Sequence, residues 1–392
     1  MKKAITSVFG LLLVTTISFS TVSCDSNSTD DNKTETPNEN TSDFKLDENK
    51  FEGTIKNGIV TLDASKTYKL TGSLVIANNA KLVIPAGTKI IGIGGTSAYI
   101  AVAQGGKIEI NGTANNPVVM TGAEAKPGNW GGLVICGKAP INKGTSATAE
   151  VSELTYGGTE TNDNSGSIKY LRIEYAGANF NSEKEFNGLS LFGVGKGTTI
   201  EYVQLYKGSD DGIEFFGGTV DTKYIVSSFN EDDQFDWTEG WNGTNDSWYG
   251  IEEPSTGNRG IEADNNSNNH AATPISNPTI KNITLIGRGS ASSEPQALKL
   301  RVGTFAQFDN LVLKNFSVGF DVEHDETLAA ISSGKLKATN VKFEDITTKA
   351  KGKKTDGTSA DASAIFTENT NAKGAGNGTN APEWTKGWTV GL

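Results

Sequence analysis

The chain has 392 residues, with 46 acidic against 35 basic side chains and a formal charge of −11. No basic stripe is present to release counterions from phosphates, which excludes nucleic acid as a partner. Two cysteines and two histidines (His270 and His324) allow no disulfide framework, no histidine cluster for zinc and no Ser-His-Asp constellation.

Lys2 and Lys3 open a basic segment, an uncharged stretch runs from Ala4 to Ser23, and small residues lead up to Cys24. This reads as a secretion signal over 1–23, too short and too rich in serine and threonine for a stable membrane span. Cleavage before Cys24 implies lipid attachment there and a membrane anchor, although Thr21 stands where lipoproteins usually carry leucine. From Asp25 to Asp43 there is no aromatic or aliphatic residue. Such a segment cannot offset its chain entropy by burial, so 24–43 is expected to be a disordered tether with an average span of about 25 Å.

Past residue 44 the composition turns to glycine, valine, isoleucine and threonine, the residues of strands and turns. Short apolar-alternating runs recur, such as Leu74-Val75-Ile76, Lys107-Ile108-Glu109-Ile110 and Gly132-Leu133-Val134-Ile135. In the middle of the chain the period is clean: Tyr202-Val203-Gln204-Leu205 and Tyr224-Ile225-Val226-Ser227 begin 22 residues apart, as do Asp210-Asp211-Gly212 and Asp232-Asp233-Gln234. Asn282, Asn310 and Asn340 hold equivalent places 28 and 30 residues apart. Coils of this length predict one all-β domain over 44–392, a right-handed parallel β-helix that grows by adding turns. Stacked asparagines would form a hydrogen-bond ladder with Asn310 buried between its neighbours; simple turn residues are the alternative. Phe51–Leu70 is expected to close one end, and Trp384 and Trp388 the other.

The stretches Trp130–Asn142, Leu171–Gly177, Asp211–Val220, Phe235–Trp241, Gly260–Asn265 and Asn277–Gly287 resemble a family of Bacteroidota surface lipoproteins described as having a pectin-lyase-like β-helix. The acidic residues after the cysteine, Asp25, Asp30 and Asp31, are similar to surface-export signals of that group. The resemblance implies the fold and an outer-membrane, cell-surface location, and it supplies no reaction.

Chemistry concentrates between Lys207 and Asp264. In the 22-residue register Asp211 falls beside Asp233 and Glu214 beside Asp236, one strand spacing of about 4.8 Å away. Two such charges repel by roughly 1 kcal/mol in water and about 3.5 kcal/mol at an effective dielectric of about 20. Three readings stay open. Basic neighbours such as Lys207, Arg172 or Arg259 balance a solvated acidic rim; Ca²⁺ sits on Asp211, Glu214, Asp233 and Asp236; or Asp210, Asp211, Asp233 and Asp236 are catalytic carboxylates. Lys299-Leu300-Arg301 loosely matches the basic motif of polygalacturonase-type hydrolases, but the Gly-His-Gly element of that pattern is missing. Trp237, Trp241, Trp248 and Tyr249 interleave with the acids, and 239–270 reads as a projecting loop. Its aromatic residues, with Arg259, would contact a glycan or an outer-membrane protein partner. The functional expectation is a surface binding or scaffolding module, an accessory role to an outer-membrane import or assembly complex being one form of it. A polysaccharide hydrolase or lyase and a purely structural envelope protein are the alternatives.

Overall fold

The computed structural model describes residues 40–181 and 184–392; the signal segment and Cys24 lie outside the described residues. The chain winds 25 strands into one continuous hydrogen-bonded sheet, nearly all of whose pairings are parallel. Three strand columns line a prism. The one that carries the chemistry consists, in chain order, of β1 (Phe51–Ile55), β2 (Thr67–Ile76), β3 (Gly95–Val102), β4 (Trp130–Cys136), β5 (Leu189–Phe192) and β6 (Ile213–Phe216). It continues with β7 (Phe235–Thr238), β8 (Ile261–Ala263), β9 (Gln296–Leu300), β10 (Val318–Glu323) and β11 (Thr348–Lys353). Each pairs with the next in parallel. This is the right-handed parallel β-helix that the repeat lengths imply.

Period-two alternation decides what faces inward. Leu189 and Leu191, Ile213 and Phe215, Phe235 and Trp237, Leu298 and Leu300, and Phe320 and Val322 are all buried and belong to one core. Inside it Phe215 stacks on Trp241 with centroids 3.8 Å apart, and Phe235 stacks on Trp248 at 4.4 Å.

The prism bends once per coil at a residue of positive φ. Tyr170, Tyr202, Tyr224, Ser247, Asn282, Asn310 and Asn340 occupy this place with φ between 52° and 61°, and asparagine tolerates the left-handed region better than most residues. Here the asparagine ladder is realised in part. Asn310 Nδ2 donates to Asn282 Oδ1 at 2.7 Å, but Asn340 Nδ2 turns to Asp309 Oδ1. Asn310 Oδ1 instead accepts N–H groups of Lys373 and Gly374, and Asn310 is half-buried.

That contact belongs to a returning C-terminal segment, which changes one expectation. Trp384 and Trp388 do not close an end. The segment runs back along the side of the helix, where Trp388 is buried against Tyr170 and Tyr202 and Val390 exchanges two hydrogen bonds with Gln204. At the N-terminal end Phe51–Leu70, expected to form a cap, contributes paired strands of the helix, and Phe44 and Leu46 pack on the core. Residues 40 and 41, expected within the tether, already belong to the fold. Thr41 N–H donates to the Ile59 carbonyl, and Thr61 N–H donates to Asn40 Oδ1.

The segment 239–270 is not a projecting loop. Thr244–Ile251 is a strand paired with Asp221–Ser228, and β8 follows it. Trp237, Trp241 and Trp248 are fully buried and Tyr249 is 2% exposed, so none of the four offers a stacking surface. Their polar atoms explain why they can be buried. Indole N–H groups of Trp237, Trp241 and Trp248 donate to Thr304 Oγ1, the Val220 carbonyl and Thr222 Oγ1, and the Tyr249 hydroxyl donates to the Thr379 carbonyl.

Candidate functional site

The outward positions of β5 to β11 form one column: Ser190, Glu214, Asp236, Glu262, Lys299, Asp321, Lys351. Beside it, at the strand ends, lie Asp264, Arg301, Glu323 and Lys353, and on the other flank Asp211, Asp233 and Arg259. The register predicted for Glu214 and Asp236 is the observed one. Asp211 and Asp233 are also neighbours, since Asp233 N–H donates to Asp211 Oδ1 at 2.9 Å. Gly212 allows the coils to approach there, because a Cβ would lie 2.1 Å from Ser227 Oγ.

Three overlapping groups of carboxylates result. Asp211, Glu214 and Asp236 each bring an oxygen within 4.8 Å of the others; so do Asp210, Asp211 and Asp232, and so do Asp233, Asp236 and Glu262. Two acids of the third group, Asp233 and Glu262, are ion-paired. Arg259 contacts Glu262 at 2.7 Å and Asp233 at 3.4 Å, and Arg301 contacts Glu262 at 2.6 Å and Asp264 at 2.9 Å. Among the described residues, Asp210, Asp211, Glu214, Asp232 and Asp236 form no ion pair. Glu214 accepts a hydrogen bond from Asn187 Nδ2 at 2.7 Å, and Asp232 accepts one from Asn258 Nδ2. Of the cations considered from sequence, Arg172 pairs with Glu174 and Lys207 lies over the Tyr206 ring, so Arg259 alone reaches the cluster, in its paired part.

The electrostatic consequence follows from burial. Asp211 is 7% exposed and Asp233 2%. Burial first, and neighbouring carboxylates second, hold Asp211, Glu214, Asp233 and Asp236 well above the ordinary carboxylate range. The same causes push Asp210 up to about 8. At the other end of the column the sign reverses. Lys299 lies 2.9 Å from Asp321 and 2.6 Å from Glu323, while Lys351 and Lys353 close on the same two acids from β11. Partial burial opposes the charge on Glu323, yet the hydrogen bonds from Lys299 and Lys353 outweigh it and bring its carboxyl down to about 2.

One wall of the acidic cluster comes from far away in sequence. Residues 137–142 run along the strand ends, where Gly137 N–H donates to the Phe192 carbonyl, Gly218 N–H to the Pro140 carbonyl, and Asn142 N–H to the Glu239 carbonyl. The segment is fastened further by Tyr156, whose hydroxyl donates to Glu239 Oε2 at 2.5 Å, and by Lys143, 2.9 Å from Glu239 Oε1. Burial raises the Glu214 carboxyl first, and the charge of Glu150 adds to that shift.

The structure brings Asp210, Asp211, Glu214, Asp233 and Asp236 close together, and Arg259, expected either to contact a ligand or to balance the acids, pairs with Asp233 and Glu262. Sequence reasoning missed Asn187, Glu150 and the fastening of 137–157, which no local motif marks. It also missed Asp321, Glu323, Lys351 and Lys353, although Asp-Val-Glu and Lys-Ala-Lys-Gly-Lys carry the period-two signal of outward strand positions.

A stack of parallel coils with a charged outward column beside strand-end excursions defines the class: a parallel β-helix with a charged outer face. The chain belongs to the family of pectate-lyase-like β-helix domains, whose model matches residues 53–389. No curated protein and no solved structure matches it.

Proposed function

We propose that this chain is an envelope β-helix, tethered by lipid at Cys24 on the outer membrane, whose acidic cluster takes up Ca²⁺ as part of binding a surface glycan or protein partner. The observation that carries the reading is that, among the described residues, Asp211, Glu214 and Asp236 form no ion pair, whereas Glu262, Lys299, Asp321 and Lys351 further along the same face are all paired. All donors are oxygens, and a mutual separation within 4.8 Å is about twice a Ca²⁺–oxygen distance of about 2.3–2.6 Å, so one ion can touch all three. Bound Ca²⁺ would supply positive charge for an anionic ligand group. Asp211, Glu214 and Asp236 would hold the ion, with Asn187 orienting Glu214 and Asp233 N–H orienting Asp211.

The hydrolase reading draws support from Asp210, whose carboxyl at about 8 is a competent proton donor near neutrality. The spacing weighs against an inverting mechanism, which keeps its carboxyls about 6.5–9.5 Å apart to admit water. The buried tryptophans remove the aromatic platform that a sugar ring would stack on. Titration calorimetry of chelator-treated mature protein tests the cation directly. Saturable Ca²⁺ binding, lost in Asp211→Asn/Asp236→Asn, is expected; no heat and no bound metal by elemental analysis would retire the reading. Polygalacturonate and alginate should survive incubation with and without Ca²⁺, and release of reducing ends or unsaturated uronates would promote the enzyme. Cys24→Ala should free the protein from membrane fractions.

A further inference from the structure

We propose that His270 and His324 form a proton-operated clasp, which locks the turn carrying Arg301 against helix α1 (Asp325–Ser332) and releases it when the imidazoles become charged. The proposal stands apart from the cation reading and holds or fails without it.

The backbone on both sides of the clasp is strained. His324, immediately before α1, has φ 78° and ψ 148°, close to a region that only glycine ordinarily visits. Val302 has φ 40°, an outlier for a β-branched residue. Such conformations persist where surrounding bonds over-determine them, and here those bonds can be named. Val302 N–H donates to His324 Nδ1 at 3.1 Å, and Gly303 N–H donates to Thr327 Oγ1 at 2.9 Å. His324 N–H donates to the Lys353 carbonyl at 2.9 Å.

Of these, the bond to His324 Nδ1 depends on protonation. A neutral imidazole can accept there, whereas an imidazolium carries N–H on both nitrogens and cannot. The ring of His270 lies 4.8 Å from that of His324, and these are the two histidines of the chain. His270 Nδ1 is 3.0 Å from Glu326 Oε2 on α1. The remaining charged groups around the pair are Arg301 on the turn, Asp325 on α1, and Glu323 and Lys353, which pair with each other at 2.6 Å. The loop 265–276 contributes no charged residue apart from His270.

A proton on His270 is therefore matched by Glu326. A proton on His324 meets Glu326 only through a weaker charge interaction, with no acid hydrogen-bonded to the ring among the described residues: it sets N–H against the N–H of Val302 and places two cationic rings 4.8 Å apart. The clasp is closed while the imidazoles are neutral and opens when they gain protons, because the imidazolium loses the acceptor that holds Val302 N–H. Opening loosens the residue next to Arg301, the guanidinium that holds Glu262 and Asp264 at the boundary between the unpaired and paired parts of the face.

Amide hydrogen exchange on the mature protein, compared between about pH 7.5 and about pH 5 and corrected for intrinsic rates, reads the clasp directly. Protection at Val302 and Gly303 should fall by about fivefold or more, the loss of one hydrogen bond, while residues 137–142 keep theirs. His324→Gly fits the backbone and removes the acceptor, so low protection independent of pH is expected. His270→Gln keeps the acceptor but removes the second cationic ring, so a weakened pH response is expected, and an unchanged response would overturn the part given to His270. The proposal is overturned if Val302 protection stays constant while both imidazoles titrate by NMR, or if His324→Gly retains the pH response.

Discussion

The outward column changes character between β7 and β9. On β6 and β7 it reads Glu214 and Asp236, with Asp211 beside them, and none of the three forms an ion pair among the described residues; from β9 to β11 it reads Lys299, Asp321, Lys351, the acid held by both lysines. Both parts sit on the same kind of strand, over the same kind of core, at the same spacing. What differs is only which charges the repeat places one coil apart. In a parallel β-helix equivalent positions stack at about 4.8 Å, so a column of alternating sign closes on itself, whereas a column of one sign keeps its charge available. Glu262 on β8 marks the boundary, taken by Arg259 and Arg301 together.

The comparison breaks most visibly in the paired part. Asp321 is 1% exposed and accepts from Lys299, Lys351 and Gln296. Asp321→Ala leaves a buried ammonium short of its partner and should cost roughly 3 kcal/mol, seen as a lower melting temperature that Ca²⁺ does not restore. A somewhat smaller effect of opposite sign belongs to the unpaired part. Ca²⁺ at about 100 times its dissociation constant should add about 2.7 kcal/mol, reversed by chelator and absent in Asp211→Asn/Asp236→Asn; equal melting curves with and without the ion would make the two parts electrostatically alike.

Asp236→Asn alone sharpens the contrast. It removes one of the crowded like charges, so in chelator it should stabilise by about 1 kcal/mol, where the corresponding loss in the paired part destabilises. The smallest effect per step is the pH dependence. The carboxyls of Asp210, Asp211, Glu214 and Asp236 are raised on folding, so their contribution is present below the unfolded carboxylate range and is lost as pH rises, through about 8 for Asp210. Glu323 is lowered on folding, so its contribution is present above the ordinary range and disappears as pH falls towards about 2. Chelator-treated protein should thus lose stability from about pH 5 to about pH 8, and saturating Ca²⁺ should flatten that slope. A flat profile in chelator would mean the unpaired carboxylates are not coupled.

Much of this was legible in the residues. The 22-residue spacing of Asp-Asp-Gly and Asp-Asp-Gln put Asp211 beside Asp233 and Glu214 beside Asp236, because a fixed coil length is itself a statement of register. Burial was read less well. Trp241, Trp248 and Tyr249 stand among glycines, asparagines and acids, and that polar setting is the signature of a loop; yet Thr244–Ile251 is a strand, and its bend at Ser247 leaves Trp248 in the core. The acids in that segment belong to turns and outward positions, so local polarity and core membership coexist a residue apart.

The sequence by itself therefore determined the coil length, the parallel stacking and the clustering of carboxylates on one face, since each follows from local spacing repeated along the chain. Only the tertiary structure decided which carboxylates remain unpaired. That depends on Arg259, Arg301 and Lys299 reaching across coils of unequal length, on 137–157 folding along strand ends up to 83 residues away at the Tyr156–Glu239 contact, and on the C-terminal segment returning along the side of the helix. Side chains meet through space, and a spacing rule reaches only as far as the repeat that carries it.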